Sequence, residues 1–217
     1  MSEKVQITAE MVKELRLRTG AGVMDCKRAL EETGAELSKA LDWLREHGAA
    51  RVERRSSRVT AEGTIGCYVH AGGKIGVLVE VNCETDFVAR TADIQDFAHQ
   101  VSMQVAAQHA QYLRREDVPE PVLEKEKAIY RAQIEQEKKP PQVVERIVQG
   151  KLDRFFQDVC LLEQPFIRDP EKTVEQLMKE TAAKVGENVR IRRFVRFQVG
   201  ELTEDAESGG AGGAAEV

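Results

Sequence analysis

The spacing of apolar residues changes at Gly63 from a helical period to an alternation of two. Before this point, apolar side chains stand at i, i+3, i+4 and i+7 in one stretch: Leu37, Ala40, Leu41 and Leu44. That spacing places them on one face of a helix. After Gly63, apolar residues recur at every second position, which is typical of a strand with one buried side. The chain is therefore predicted to fold as α+β, with helices first and a sheet afterwards.

Residues 1–50 contain the signals of three short helices. Thr8 is placed to cap the first helix, and Thr19-Gly20-Ala21-Gly22 interrupts the helical pattern after it. The second helix is predicted from about Val23 to Glu32, and Gly48 is placed to close the third. A unit of this size buries only a modest core, so we expect it to be a small domain beside a larger body.

A short basic segment follows, and we interpret residues 51–62 as a linker. It contains four arginines: Arg51, Arg54, Arg55 and Arg58. The first interpretation of this segment is a solvated tether between two domains. The second is a contact with an acidic partner or with RNA, and the pattern by itself allows both.

The body, residues 63–200, is predicted to be an α+β core with a small antiparallel sheet. It begins with a β-hairpin whose buried side carries alternating residues: Ile65, Cys67, Val69, Ile75, Val77, Val79 and Val81. Helical patterns follow at about 93–111, 122–138, 141–160 and 173–185.

A late strand is predicted at 189–199, near the end of the body. One side of it carries apolar residues, namely Val189, Ile191, Val195, Phe197 and Val199. Its other side, expected to face solvent, carries Arg190, Arg192, Arg196 and Gln198. A lone strand leaves its backbone groups unpaired, so this strand is predicted to join the hairpin.

Charge is unevenly distributed along the chain, whose net charge is −5. Residues 201–217 contain five acidic residues and no basic ones, and they are rich in Gly and Ala, so we expect a disordered acidic tail. Residues 1–200 contain 32 basic and 32 acidic residues. Together with an aromatic content of 5%, this balance argues against a direct nucleic-acid-binding surface.

The chain shows no signal for a membrane span, for secretion or for a metal site. No window approaches eighteen apolar residues and the first residues form no apolar leader, so we expect a cytoplasmic protein that binds no membrane. The four cysteines and four histidines show neither CxxC nor HExxH spacing. We therefore expect reduced thiols, no metal and no cofactor.

Two short motifs raise the question of catalysis. Gly20-Ala21-Gly22 is part of a nucleotide-loop pattern, but a helix precedes it and Asp25 stands where the third glycine would be, so we interpret it as a turn between helices. Cys26 lies beside Lys27 near a helix N-terminus, a setting that lowers a thiol pKa, and a thiol enzyme is a rival interpretation. Since no histidine is near Cys26 in the sequence, we expect no catalytic residue.

The stretch from Glu84 to Arg90 follows the second strand of the hairpin directly. Phe87 and Val88 are apolar in a connection that should be exposed. One interpretation places Phe87 under the following helix as part of the core. The other presents Phe87, with Asp86 beside it, as an anchor for a pocket on a partner protein. The stretch alone does not decide between them.

Three groups of residues have a recognisable pattern: Val12–Arg16 with Thr19–Leu30, then Glu80–Arg90, then Glu145–Leu152 with Phe155, Phe156 and Leu161–Phe166. In this order they resemble the signatures of the bacterial elongation factor Ts family, over residues 5–200. The resemblance implies a three-helix N-terminal domain like the ubiquitin-associated fold. It also implies a non-enzymatic guanine-nucleotide exchange factor of translation elongation, whose partner is elongation factor Tu in its GDP form.

The resemblance further implies which residues bind the partner. Four residues match positions by which the family's N-terminal domain docks on the partner's GTPase domain: Arg16, Val23, Met24 and Lys27. Four others match the second signature: Thr85, Asp86, Phe87 and Val88. In the family, the Asp-Phe pair of this signature presses between partner helices near the magnesium and phosphate end of the GDP site.

Longer members of the family have two related halves in the core, whereas this chain shows one strand-hairpin unit, from Glu62 to Asn82, as the short members do. A single half leaves a sheet edge or face uncovered. We therefore expect a homodimer able to hold two partner molecules.

Overall fold

The computed structural model describes residues 7–135 and 140–201. Its α-helices are α1 (Ala9–Thr19), α2 (Val23–Glu32), α3 (Leu37–Arg55), α4 (Asp86–Ala89), α5 (Ala92–Gln108), α6 (Glu120–Glu135), α7 (Pro141–Val159) and α8 (Val174–Val185). Its strands are β1 (Glu62–Val69), β2 (Ile75–Cys83), β3 (Pro165–Phe166), β4 (Asp169–Thr173) and β5 (Arg190–Gln198). The α+β class predicted from the sequence is confirmed.

The three N-terminal helices form where the sequence predicts them. The Thr8 hydroxyl caps α1 by accepting a hydrogen bond from the Met11 N–H at 3.3 Å, and Gly20 ends the helix with a left-handed φ of 68°. The predicted turn at Gly20–Gly22 therefore joins α1 to α2. The buried core of this unit is small and consists of Leu15, Cys26, Ala29, Leu30 and Ala40.

The third helix is longer than predicted, because α3 continues through Gly48 to Arg55. The prediction that Gly48 closes this helix is wrong. A Cβ on Gly48 would lie 3.8 Å from the Cβ of Ala183, an ordinary van der Waals contact, so this glycine faces α8. Packing against α8 outweighs the penalty of about 1 kcal/mol that glycine imposes inside a helix.

The main sheet has the order β1-β2-β5 and is antiparallel throughout. The prediction that the late strand joins the hairpin is confirmed. One face, called here the inner face, is covered by α5 and carries Val77, Val79, Val81 and Ile191. The opposite, outer face is not covered by any helix of the described residues.

Strand β1 turns its alternating apolar residues to the outer face, contrary to the sequence prediction. Ile65, Cys67 and Val69 are exposed, although their alternation predicts a buried side. Register explains the difference, because Tyr68 pairs with buried Val77 and must share its face. Gly66 also faces inward, where the backbone of α5 leaves no room for a side chain.

Strand β5 also departs from the predicted alternation, because the register shifts opposite Glu80 and Val81. Ile191 pairs with Val81 and Arg193 with Glu80, so one extra residue lies on β5 and forms a β-bulge. Beyond the bulge the two faces are exchanged. Arg196, predicted to face solvent, keeps only 9% of its side chain exposed, whereas Phe197 is 66% exposed.

Helices α6 and α7 pack against each other as a hairpin with its own buried cluster, which includes Ile134, Val148, Leu152 and Phe156. The predicted helix at 122–138 begins at Glu120, and its last three predicted residues lie outside the described residues. The acidic tail predicted at 201–217 lies outside them too, apart from Glu201. No helix in the described ranges is long and apolar enough to cross a membrane.

Candidate partner-binding site

The segment after β2 forms a short, stiff turn that ends in an exposed aromatic ring. Thr85 caps α4, with its hydroxyl accepting a hydrogen bond from the Val88 N–H at 3.4 Å. Phe87 lies in the first turn of α4 and is 83% exposed. The interpretation that Phe87 is part of the core is therefore wrong, and the ring projects from the surface.

The two neighbours of Phe87 have different environments. Val88 is half-buried and packs against the main core cluster, so it anchors the turn to the body. The Asp86 carboxylate accepts a hydrogen bond from the Arg90 guanidinium at 2.8 Å, one helical turn away. An exposed ring beside a carboxylate that is paired with one guanidinium is an arrangement that fits a pocket on another protein.

The residues that follow α8 hydrogen-bond to the turn and fix its position. The Glu187 carboxylate accepts hydrogen bonds from the Glu84 N–H and the Thr85 N–H, both at 3.0 Å, and from the Thr85 hydroxyl at 2.7 Å. In return, the Glu84 carboxylate accepts hydrogen bonds from the Asn188 N–H at 2.7 Å and from Arg58 at 3.2 Å. The two segments therefore bind each other reciprocally.

Electrostatics favour the charged form of Glu84 in this network. Burial by itself raises its pKa, but the hydrogen bonds from the Asn188 N–H and from Arg58 outweigh the burial. The pKa of Glu84 is consequently lowered. Asn188 also donates to the backbone carbonyls of Ser56 and Arg58, at 3.2 and 2.9 Å, which ties the segment after α3 to the same network.

A second exposed group lies at the start of α2. Val23 and Met24 are 48% and 68% exposed, which is unusual for apolar side chains beside a small core. Arg16 on α1 and Lys27 on α2 are exposed as well, and Lys27 pairs with Glu31 at 3.8 Å. Two apolar side chains flanked by cations are suited to a partner surface that is apolar at its centre and acidic around it.

The Phe87 turn and the exposed start of α2 lie on different elements, and α8 contacts residues next to each of them. A Cβ on Gly20, in the turn that leads to Val23, would lie 3.0 Å from the side chain of Lys184. The Lys184 ammonium in turn lies 2.5 Å from the Asp93 carboxylate, in the first turn of α5. The end of α8 thus contacts both the α1–α2 turn and the helix after Phe87.

Sequence reasoning missed Lys184, Glu187 and Asn188. Gly186 adopts a left-handed φ of 78° at the end of α8, and the residues after it lead into β5. A glycine at a predicted helix end followed by two hydrogen-bonding residues was the signal that could have drawn attention to Glu187 and Asn188.

Catalytic alternatives find no support at Cys26. Its thiol is buried, and burial raises its pKa, so the lowered pKa considered from its position near a helix N-terminus is wrong. Burial likewise raises the pKa of Cys160, to about 11. Within residues 7–135 and 140–201, no group of His, Cys, Asp or Glu side chains is arranged to hold a metal ion.

A stiff turn that presents an aromatic ring, together with an exposed apolar helix start, is typical of a protein that binds another protein. Comparison with known proteins identifies the family to which the chain belongs. The model of the family described as Elongation factor TS matches residues 11–201.

Several curated relatives are named Elongation factor Ts. The protein of Carboxydothermus hydrogenoformans is 56% identical over 195 residues, which are 90% of this chain and 90% of the relative. That of Thermoanaerobacter sp. is 55% identical over 202 residues, 93% of this chain and 99% of the relative. That of Geobacter sulfurreducens is 51% identical over 94% of each. The chain belongs to the elongation factor Ts family, and it is a translation elongation factor that acts as a nucleotide-exchange factor.

Proposed function

We propose that this protein binds elongation factor Tu in its GDP form and accelerates GDP release, with Asp86 and Phe87 as the wedge. GDP in such a GTPase is held by phosphate contacts and a magnesium ion. A wedge that displaces the supporting helices weakens both. No covalent bond is made or broken, so the proposed action needs no catalytic acid, base or nucleophile.

The observation that carries the proposal is the exposure of Phe87 on a fixed turn. A ring that is 83% exposed contributes little to the stability of its own chain, yet the backbone under it is hydrogen-bonded and packed. Because the turn is already ordered, binding does not have to order it, and more of the contact energy is left for displacing the partner's helices.

The exposed group on α1 and α2 is proposed to dock on the GTPase domain of the partner, through Arg16, Val23, Met24 and Lys27. Two contact regions give the factor affinity for the partner, and only the wedge region distinguishes between the GDP-bound and nucleotide-free forms. Exchange is then a reciprocal coupling, in which the factor lowers GDP affinity and GDP lowers the affinity for the factor by the same ratio. As a translation factor, the protein is proposed to act in the cytoplasm.

The release rate of a fluorescent GDP analogue from elongation factor Tu tests the proposal. Wild type, Phe87→Ala and Val59→Ala are compared, because Val59 is an equally exposed apolar side chain outside both proposed contact regions. We expect strong acceleration by wild type and by Val59→Ala, and a loss of about tenfold or more in Phe87→Ala, as for an anchor side chain. Acceleration that survives in Phe87→Ala would reject the wedge, and no acceleration by wild type would reject the function.

We further propose that the protein is a homodimer in which the outer faces of two sheets pack on each other. Six exposed residues make the face apolar: Ile65, Cys67, Val69, Leu78, Val195 and Phe197. They lie in register, since Cys67, Leu78 and Val195 form one row across the three strands. An uncovered apolar sheet face is covered most simply by a second copy of itself, about 10 Å away, as in two-sheet proteins.

A further inference from the structure

The carboxylate of Glu187 lies where it can decide the geometry of the turn that carries Phe87. Its Oε2 accepts two backbone hydrogen bonds, from Glu84 and Thr85, and its Oε1 accepts one from the Thr85 hydroxyl. Glu187 is 102 residues away from Thr85 along the chain. All three bonds converge on the two residues that immediately precede α4.

The hydroxyl of Thr85 links this carboxylate to the helix. A threonine hydroxyl has one proton and two acceptor lone pairs. Because that proton is donated to Glu187 at 2.7 Å, the lone pairs are left for the Val88 N–H, which donates to them at 3.4 Å. Glu187 therefore orients the cap of α4, and the cap in turn sets the direction of the first turn that carries Phe87.

Glu187 is itself held in place from both sides. Gly186 adopts a left-handed φ of 78°, and its N–H donates to the Ala182 carbonyl at 3.0 Å, which ends α8 and turns the chain toward α4. On the other side, the Asn188 N–H donates to Glu84 at 2.7 Å. The position of the carboxylate is thus fixed by the end of α8 on one side and by the bond between Asn188 and Glu84 on the other.

We infer that Glu187 is a positioning residue for nucleotide exchange, which presents Phe87 to the partner by fixing Thr85 and the cap of α4. This inference rests on the proposed exchange function. Without the carboxylate, the Glu84 and Thr85 amides lose their acceptor and the Thr85 hydroxyl is free to turn away from the Val88 N–H. The ring of Phe87 then samples many directions, and binding has to order it.

The first test is amide hydrogen exchange in the free protein, which does not depend on any partner. Glu187→Ala is compared with Glu175→Ala, a control on the same region of the chain whose carboxylate pairs with exposed Lys179 at 2.8 Å. We expect exchange at the Thr85 and Val88 amides to become about tenfold faster in Glu187→Ala and to stay unchanged in Glu175→Ala. Unchanged rates in Glu187→Ala would overturn the inference.

The second test measures GDP release from elongation factor Tu in two backgrounds. With Phe87 present, Glu187→Ala should lower the acceleration about tenfold, and Glu187→Gln, which keeps one acceptor oxygen, should lose less. In the Phe87→Ala background, Glu187→Ala should have little further effect, because it acts through the ring. An equal loss in both backgrounds would show a general structural role and overturn the inference.

The two tests separate the failure of the inference from the failure of the exchange function. If wild type does not accelerate GDP release, the exchange function fails and the role of Glu187 in it fails too. If wild type accelerates release and Phe87→Ala does not, but Glu187→Ala behaves as wild type, only the inference about Glu187 fails.

Discussion

At the scale of single residues, Gly66 marks a very close approach between the sheet and α5. A Cβ at this position would lie 2.5 Å from the Ala98 carbonyl oxygen, which is a backbone atom of the helix and has no freedom to rotate away. Glycine within a strand is often found where another backbone comes this close. The requirement is steric, and it also explains why the inner face of β1 is not its apolar one.

Gly66→Ala is expected to destabilise the protein by about 1–3 kcal/mol, because α5 has to shift to admit the methyl group. Gly150→Ala is the matched control, since a Cβ on this residue of α7 meets no atom within 4 Å. This control should gain about 0.5–1 kcal/mol from the better helix propensity of alanine. Urea unfolding of both variants measures the two changes, and equal effects would contradict the steric explanation.

Glu84 gives the second residue-scale prediction, which concerns acid. Its pKa is lowered from 4.5 in the folded protein, so the charged carboxylate contributes stability above the unfolded pKa. That contribution is lost as the pH falls below about 4.5 and through the folded pKa. Glu84→Gln should therefore be less stable than wild type at pH 7, and the difference should shrink toward pH 3. Urea unfolding across this range measures it, and a difference that does not change with pH would refute the prediction.

At the scale of elements, α8 holds the site together, since it carries Lys184 and ends just before Glu187. Its start is fixed by a capping box, in which the Thr173 hydroxyl accepts from the Gln176 N–H at 3.2 Å and the Gln176 side chain accepts from the Thr173 N–H at 2.8 Å. Both ends of this helix are therefore specified locally.

Thr173→Ala removes half of this capping box and is expected to cost about 1 kcal/mol of stability. Ser38→Ala is a suitable control, because its hydroxyl contacts the exposed carboxylate of Glu36 at 3.2 Å and its loss should change stability by less than about 0.5 kcal/mol. The free energies of unfolding in urea check both values. A loss of stability in Ser38→Ala as large as that in Thr173→Ala would contradict the role of Thr173 as the helix cap.

Strand β5 shows how one extra residue changes the role of a whole element. The bulge places Arg192 and Arg193 on the same side, where both approach the Glu80 carboxylate, at 3.8 and 2.7 Å. Residues after the bulge change faces, which sends Val195 and Phe197 outward. The apolar contribution of β5 to the outer face is therefore a consequence of the bulge.

At the scale of the whole molecule, the outer face is an apolar surface left without cover in the described chain. Leu78 lies on the central strand, between Cys67 and Val195. A charge at this position would have to be buried at the centre of the proposed interface without a partner, which is costly.

Wild type is expected to sediment as a dimer, and Leu78→Glu as a monomer that remains folded, because Leu78 is 47% exposed in the single chain. Val59→Glu, which introduces the same charge outside the three strands of the sheet, should remain dimeric. Analytical ultracentrifugation at several concentrations measures the states. A monomeric wild type, or a Leu78→Glu variant that is still a dimer, would reject the sheet-face dimer.

The sequence by itself determined the features that depend on neighbours along the chain. The helical spacing of Leu37, Leu41 and Leu44, the cap at Thr8 and the alternation in β2 are local signals, and each predicted its element correctly. The Asp86-Phe87 pair was located as a candidate anchor for the same reason, because it directly follows a strand.

Only the tertiary structure decided which surfaces are buried and what supports the candidate site. The alternation of Ile65, Cys67 and Val69 shows that β1 has an apolar side, but the contact between Gly66 and α5 determines that this side faces outward. The exposure of Phe87 likewise depends on packing that its own stretch does not encode. Glu187 reaches Thr85 across 102 residues, and no local pattern specifies a contact at that separation, because it exists only after the sheet and α8 have packed.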